Sequence, residues 1–144
     1  MKRFLSLVLA LAVVLCCQSA FAAVAFEKSV IYDSITALFE ENFTDYEPEF
    51  EYDAESSVFI VSLASPDGSA MALMLENEDS LTSWESMTEN MNSIGKSVIE
   101  LFETSGYESV HFGLMLRSDA NEENILFSSL DGYTLYNVTD DLSD

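Results

Sequence analysis

Basic side chains are what this chain has least of. Of its 144 residues only five are lysine or arginine and one is histidine, against 26 aspartates and glutamates, for a formal net charge of −21. Binding to nucleic acid or to anionic lipid needs clustered cations, and a field of this sign repels both. Cysteine is nearly absent too: Cys16 and Cys17 stand side by side near the start, and nothing after them can form a disulfide or a thiolate. With one histidine and no later cysteine, a zinc site lacks its usual ligands and thiol catalysis lacks its nucleophile. No Gly-x-Ser-x-Gly elbow presents a serine, and no Asp-x-Asp-x-Asp-Gly loop wraps a calcium ion. No internal repeat or low-complexity linker divides the chain.

The beginning is organised differently from the rest. Lys2 and Arg3 precede an apolar run over residues 4–17, and Ala20-Phe21-Ala22 offers a small-x-small cleavage site. These are the three zones of a secretory signal peptide, expected over residues 1–22 with cleavage after Ala22. The apolar run falls short of the roughly 20 residues that cross a bilayer, which argues against a membrane anchor or a buried core helix. A lipoprotein tethered at Cys16 or Cys17 is the alternative, but a lipobox wants a small residue before its cysteine, where Leu15 and Cys16 stand. The expected location is therefore secreted or cell-envelope, without membrane insertion after cleavage. From Ala23 onward only Lys28, Lys96 and Arg117 are basic while all 26 acids remain, a charge of −23 on one domain, residues 23–144. Such a charge serves solubility whether or not it also serves binding.

Periodicity supplies the elements. Over residues 26–43, Val30, Ile31, Ile35, Leu38 and Phe39 recur at helical spacing. Residues 46–53 change to a period of two, with Tyr46, Phe50 and Tyr52 on one face and acids on the other. Residues 58–64 are a compact apolar run that suits a strand buried on both faces or central in its sheet. The Ser65-Pro66-Asp67-Gly68-Ser69 turn then leads to a third strand at 70–75. Residues 79–105 form the clearest helix, from Leu81, Trp84, Met87, Met91, Ile94, Val98 and Leu101; Asp79, Ser80 or Thr82 caps it and Gly106 closes it. Gly95 within it costs about 1 kcal/mol against alanine and marks a bend or a close approach of another backbone, the latter preferred.

Strands follow at 110–117 and 125–130, and Asp131-Gly132 is a two-residue hairpin signal into a last strand at 133–138. Residues 139–144 are an acidic end expected to fray. Trp84, Met87 and Met91 face the sheet on the helix stripe, and Met71, Met74 and Met115 fall in strands; a core explains them, and a pliable binding groove is the alternative were they exposed. Asn42-Phe43-Thr44 and Asn137-Val138-Thr139 are glycosylation sequons, relevant only to a eukaryotic source.

The expected fold is α+β, in the order α-βββ-α-ββ(β), with an antiparallel sheet and both helices packed on one face. That order and the acidic charge resemble type III secretion chaperones, which are small, acidic and dimeric; the resemblance implies fold only. Ser83-Trp84-Glu85-Ser86-Met87 and the segment from Leu130 to Val138 resemble small exported proteins of anaerobic Gram-positive bacteria, a group with no assigned activity. That second resemblance implies a bacterial source.

One constellation stands out. Asp45, Glu47, Glu49, Glu51, Asp53 and Glu55 occupy every second position. On a single extended strand they would share a face about 6.6 Å apart, within a Debye length of about 8 Å, and repel one another. One reading is an edge strand protected from edge-to-edge pairing by charge and by Pro48. The other is a docking strip for a basic protein or peptide. Carboxylates so spaced cannot wrap one calcium ion, which leaves weak surface binding of divalent cations. His111 is expected to be a partly exposed strand residue, with a Ser/His/Asp triad the catalytic alternative; paired carboxylates for glycoside hydrolysis lack room for a substrate cleft in so small a domain. The expectation is thus a non-enzymatic binding module without a cofactor, an inhibitor, immunity-type or adaptor protein that docks a basic partner, with a homodimer through a sheet edge also open. A small hydrolase using His111, or a surface or spacer protein with no specific partner, are the alternatives.

Overall fold

The structure, a computed structural model, describes residues 25–66, 77–119 and 124–141. The expected signal peptide with Cys16 and Cys17, the expected third strand at 70–75 with Met71 and Met74, and residues 142–144 lie outside the described residues.

A 3₁₀ turn, Phe26–Lys28, leads into α1, Val30–Asn42. Ser29 separates them because its hydroxyl accepts from the Tyr32 N–H at 3.2 Å, an N-cap that starts the helix later than the periodicity suggests. Ile31, Ile35 and Phe39 are buried, whereas Val30, expected on the same stripe, lies in the first turn and is 46 % exposed. A second 3₁₀ turn, Thr44–Tyr46, precedes β1, Glu49–Asp53, which hairpins into β2, Val58–Ser65. Helix α2, Glu78–Thr104, is capped by Asn77, whose side chain accepts from the Asp79 N–H at 3.0 Å; the cap thus lies two residues ahead of the first candidate read from the sequence. Gly106 closes the helix with φ +86°, as expected. Strands β3, His111–Ser118, β4, Ile125–Leu130, and β5, Tyr133–Asn137, follow, and a short helix α3, Val138–Asp141, stands where a frayed end was expected.

The fold is α+β, with five strands in the order β1-β2-β3-β4-β5. The expectation of an all-antiparallel sheet needs one correction: β2 and β3 are parallel, with Phe59 beside Phe112, Val61 beside Leu114 and Leu63 beside Leu116. The connection between them contains α2, and a helix returns the chain to the end it left, which is the requirement for parallel neighbours. The remaining pairs are antiparallel.

Both long helices cover the same face. Phe39 of α1 and Phe102 of α2 each place a ring about 6 Å from that of Phe112, at 6.1 and 6.3 Å. Trp84 of α2 donates from Nε1 to Asn137 Oδ1 of β5 at 2.8 Å, and Asn92 donates to Thr134 at 2.8 Å. Phe26 sits at the hub of the aromatic core, its ring centroid 4.9 to 5.8 Å from those of Tyr32, Tyr52, Phe59, Phe102 and Tyr107. Edge-to-face and tilted pairs of this kind add about 0.5–1.5 kcal/mol each beyond burial.

Gly95 is the close-approach glycine. A Cβ there would lie 2.8 Å from both Cα and N of Gly132, in the turn between β4 and β5. That turn is the expected Asp131-Gly132 hairpin, with φ of +53° and +78° at its two central residues. Two glycines facing each other let α2 rest directly on the hairpin backbone.

Candidate functional site

Alternation along the strands sends every second side chain to the face away from α1 and α2. The register places Asp53, Val58 and His111 in one row across β1, β2 and β3. The next row is Glu51, Ile60, Gly113 and Leu130, and the next is Glu49, Ser62, Met115, Ser128 and Tyr136. Val58, Ile60, Met115, Leu130 and Tyr136 are each partly exposed and make the floor of this face largely apolar, with Ser62 and Ser128 set among them. Ile60 leans over Gly113, where a Cβ would meet its Cγ1 at 3.3 Å. At the far end Arg117 is buried and reaches across β2 to Glu49, Nη2 to Oε2 at 2.8 Å, with side chains 10 % and 67 % exposed.

The carboxylates border this floor on the β1 side, but as three residues and not six. Glu49, Glu51 and Asp53 belong to β1. Asp45 lies in the 3₁₀ turn, Glu47 takes a left-handed conformation with φ 43°, and Glu55 lies in the turn between β1 and β2. The single strand expected over 46–53 is broken because the Glu47 N–H closes the 3₁₀ turn onto Thr44 O at 3.3 Å and Pro48 has no N–H to extend the ladder. Phe50 and Tyr52 face the helices, as the period of two implies, while Tyr46 reaches the core from the 3₁₀ turn.

The three strand carboxylates differ in surroundings. Glu49 is paired with Arg117. Asp53 accepts from Ser56 Oγ at 2.5 Å and from the Glu55 N–H at 2.9 Å. The Ser56 bond, followed by the Glu55 bond, holds its carboxyl below its ordinary value of 3.8. Glu51 has no ion-pair partner among the described residues. Tyr136, on the opposite border, donates to Asp141 at 2.6 Å, and that bond raises its phenol above its ordinary value.

His111 opens β3 and is bound to Asp131, Nδ1 to Oδ2 at 2.7 Å, while Asp131 Oδ1 accepts from the Phe112 N–H at 2.9 Å. An ionised carboxylate only accepts, so the Nδ1 that faces it is the donor of this bond, and Nε2 points away from it. The side chain is 49 % exposed, and Asp131 is its hydrogen-bond partner; no hydroxyl joins the pair among the described residues.

No protein-family model, no curated protein and no solved structure matches this chain. The site therefore stands on its chemistry alone. Among the described residues no three His, Cys, Asp or Glu side chains are grouped so as to hold a metal ion, and no helix is long and apolar enough to cross a membrane.

Three features escaped the sequence. Asp131 reads as a turn residue, and only the fold brings it to His111, twenty positions earlier. Arg117 reads as one of three remaining cations, with nothing to pair it with Glu49. The apolar floor had a signal: residues 58–61 are apolar at both parities, so a strand with helices on one side has apolar side chains left on the other.

Proposed function

We propose that this is a secreted or cell-envelope protein-binding module, not an enzyme, whose acidic surface docks a basic partner and which acts as an inhibitor, immunity-type or adaptor protein. The observation that carries the reading is the excess of acids over bases, 26 against five, combined with a border of carboxylates on the edge strand of a sheet face that neither long helix covers. Complementary charge sets encounter rate and partner choice, so a partner with a basic surface is the one this protein selects. Export agrees with a leader of three zones and with a cysteine-free remainder.

The test is capture from the native envelope at low and high salt with wild type and with a variant carrying Glu49→Gln, Glu51→Gln and Asp53→Asn. Wild type is expected to retain a basic protein at low salt that the variant loses. If both capture the same set, or neither captures anything, docking through this border is wrong.

The catalytic alternative draws on one observation, the His111–Asp131 bond, which gives a histidine the orientation of a general base. Its separate test is His111→Ala, which on that reading abolishes a hydrolytic activity while leaving the fold intact.

A further inference from the structure

We propose that the sheet face opposite α1 and α2 is the docking surface, and that its occupant is an amphipathic helix of a partner protein with a row of basic residues along one flank. This rests on the reading above and adds to it the surface and the form of the partner.

The argument is geometric. A helix is about 10 Å across, and strands lie about 4.8 Å apart, so a helix seated over β2 and β3 brings its flank above β1. Under its centre lie the pairs Val58 with His111, Ile60 with Gly113 and Ser62 with Met115, and Leu130 extends the apolar middle beside Gly113. Gly113 keeps that centre low, and the nearest side-chain atom to a Cβ there would be Ile60 Cγ1, at 3.3 Å. Above β1 the flank meets Glu49, Glu51 and Asp53. Carboxylates at every second strand residue repeat about every 6.6 Å, while basic residues at every fourth helical position repeat about every 6.0 Å, so a lysine or arginine row stays in step over two repeats. Among the described residues only Glu49 has a cation beside it; Asp53 is held by the Ser56 hydroxyl and the Glu55 N–H, and Glu51, with neither, is the position a partner's cation completes.

Other occupants fit less well. A second copy would bring the same carboxylate border and, from Ala23 onward, another −23 of net charge against the first. A strand added at the β1 edge meets Pro48 at its start and a carboxylate at every outward position. Apolar contact with one basic border is what an amphipathic helix supplies.

The experiment follows the purified protein by NMR while a synthetic amphipathic helix of about five turns is added, leucine on one face and lysine at every fourth position along one flank. A peptide of the same composition in scrambled order is the control, and Met115→Glu is the variant, its fold checked by circular dichroism. Saturable shifts at Ile60, Gly113, Met115 and Glu51 are expected, with binding about tenfold weaker for the scrambled peptide and for the variant, the loss that follows removal of one well-packed apolar contact. If the scrambled peptide binds as well and shifts acidic residues over the whole surface, this face is not the site, although docking by charge survives. If neither peptide binds, both readings fail. If sedimentation shows a dimer that buries Ile60 and Met115 before any peptide is added, the occupant is a second copy and the proposal is wrong.

Discussion

Replacing Gly95 by alanine tests how α2 is held against the sheet. In an isolated helix the change is favourable by about 1 kcal/mol, because alanine restricts the unfolded chain and glycine does not. Here the new Cβ would lie 2.8 Å from Cα and N of Gly132, where ordinary contact begins at 3.4 Å, so the helix and the hairpin must part by about 0.6 Å. Neither can yield by a rotamer change, since the atoms met are backbone. The hairpin is anchored as well: Asp131 N–H donates to Phe112 O at 2.8 Å and its carboxylate accepts from Phe112 N–H at 2.9 Å. Forced expansion of a packed contact costs about 1–3 kcal/mol, so the propensity gain is outweighed and Gly95→Ala is expected to destabilise by about 1 kcal/mol net. Thermal unfolding would show this as a Tm lowered by about 3–6 °C, and urea unfolding as a lower midpoint at unchanged slope. The His111 ring signals should shift too, because the displaced turn carries Asp131. Stabilisation by about 1 kcal/mol, the result of propensity acting alone, would refute the close packing of α2 on the hairpin.

Phe26→Ala empties the hub of the aromatic core and is expected to cost about 3–5 kcal/mol in urea unfolding; a loss below about 1 kcal/mol would mean that the 3₁₀ turn is only loosely attached. Asp131→Ala removes the acceptor of both His111 Nδ1 and the Phe112 N–H, so the Nδ1 tautomer, read from ¹⁵N shifts of the ring, should give way to a mixture; an unchanged tautomer would show that Asp131 does not hold the ring. The Asp53 carboxyl titrates below 3.8 in the folded protein, so its contribution to stability is complete above that value and disappears as pH falls through the lower folded midpoint. An NMR titration should show that midpoint, and Ser56→Ala should move it up toward 3.8; a midpoint that ignores the substitution would remove Ser56 as the main cause.

Local chemistry was readable wherever it acts over a few residues. The long helix, its closing Gly106, the Asp131-Gly132 turn and the apolar stripe through Trp84, Met91 and Val98 follow from spacing and from dihedral preference, and the structure has them. Gly95 was readable as an anomaly because glycine inside a helix needs a reason, though not that the reason was a second glycine. What spacing could not supply was the pairing of distant segments. The parallel register of β2 with β3 depends on where α2 sets the chain down, and the antiparallel expectation came from counting turns alone. The carboxylate row illustrates the limit from the other side: alternation at six positions implied one long strand, but Glu47 and Pro48 spoil backbone pairing regardless of side-chain pattern. Only Glu49, Glu51 and Asp53 end up together. The border is real and half as long as its sequence suggests.

The proposal depends on Ile60 and Met115 being open to solvent on a face that Val61 and Leu114 do not share. A neutral gadolinium chelate, added to the protein with its methyl groups labelled, broadens each methyl signal according to its exposure. Strong broadening at Ile60 and Met115, with Val61 and Leu114 spared, is the expected result. Equal protection of all four would mean that the face is already covered and has no room for a partner.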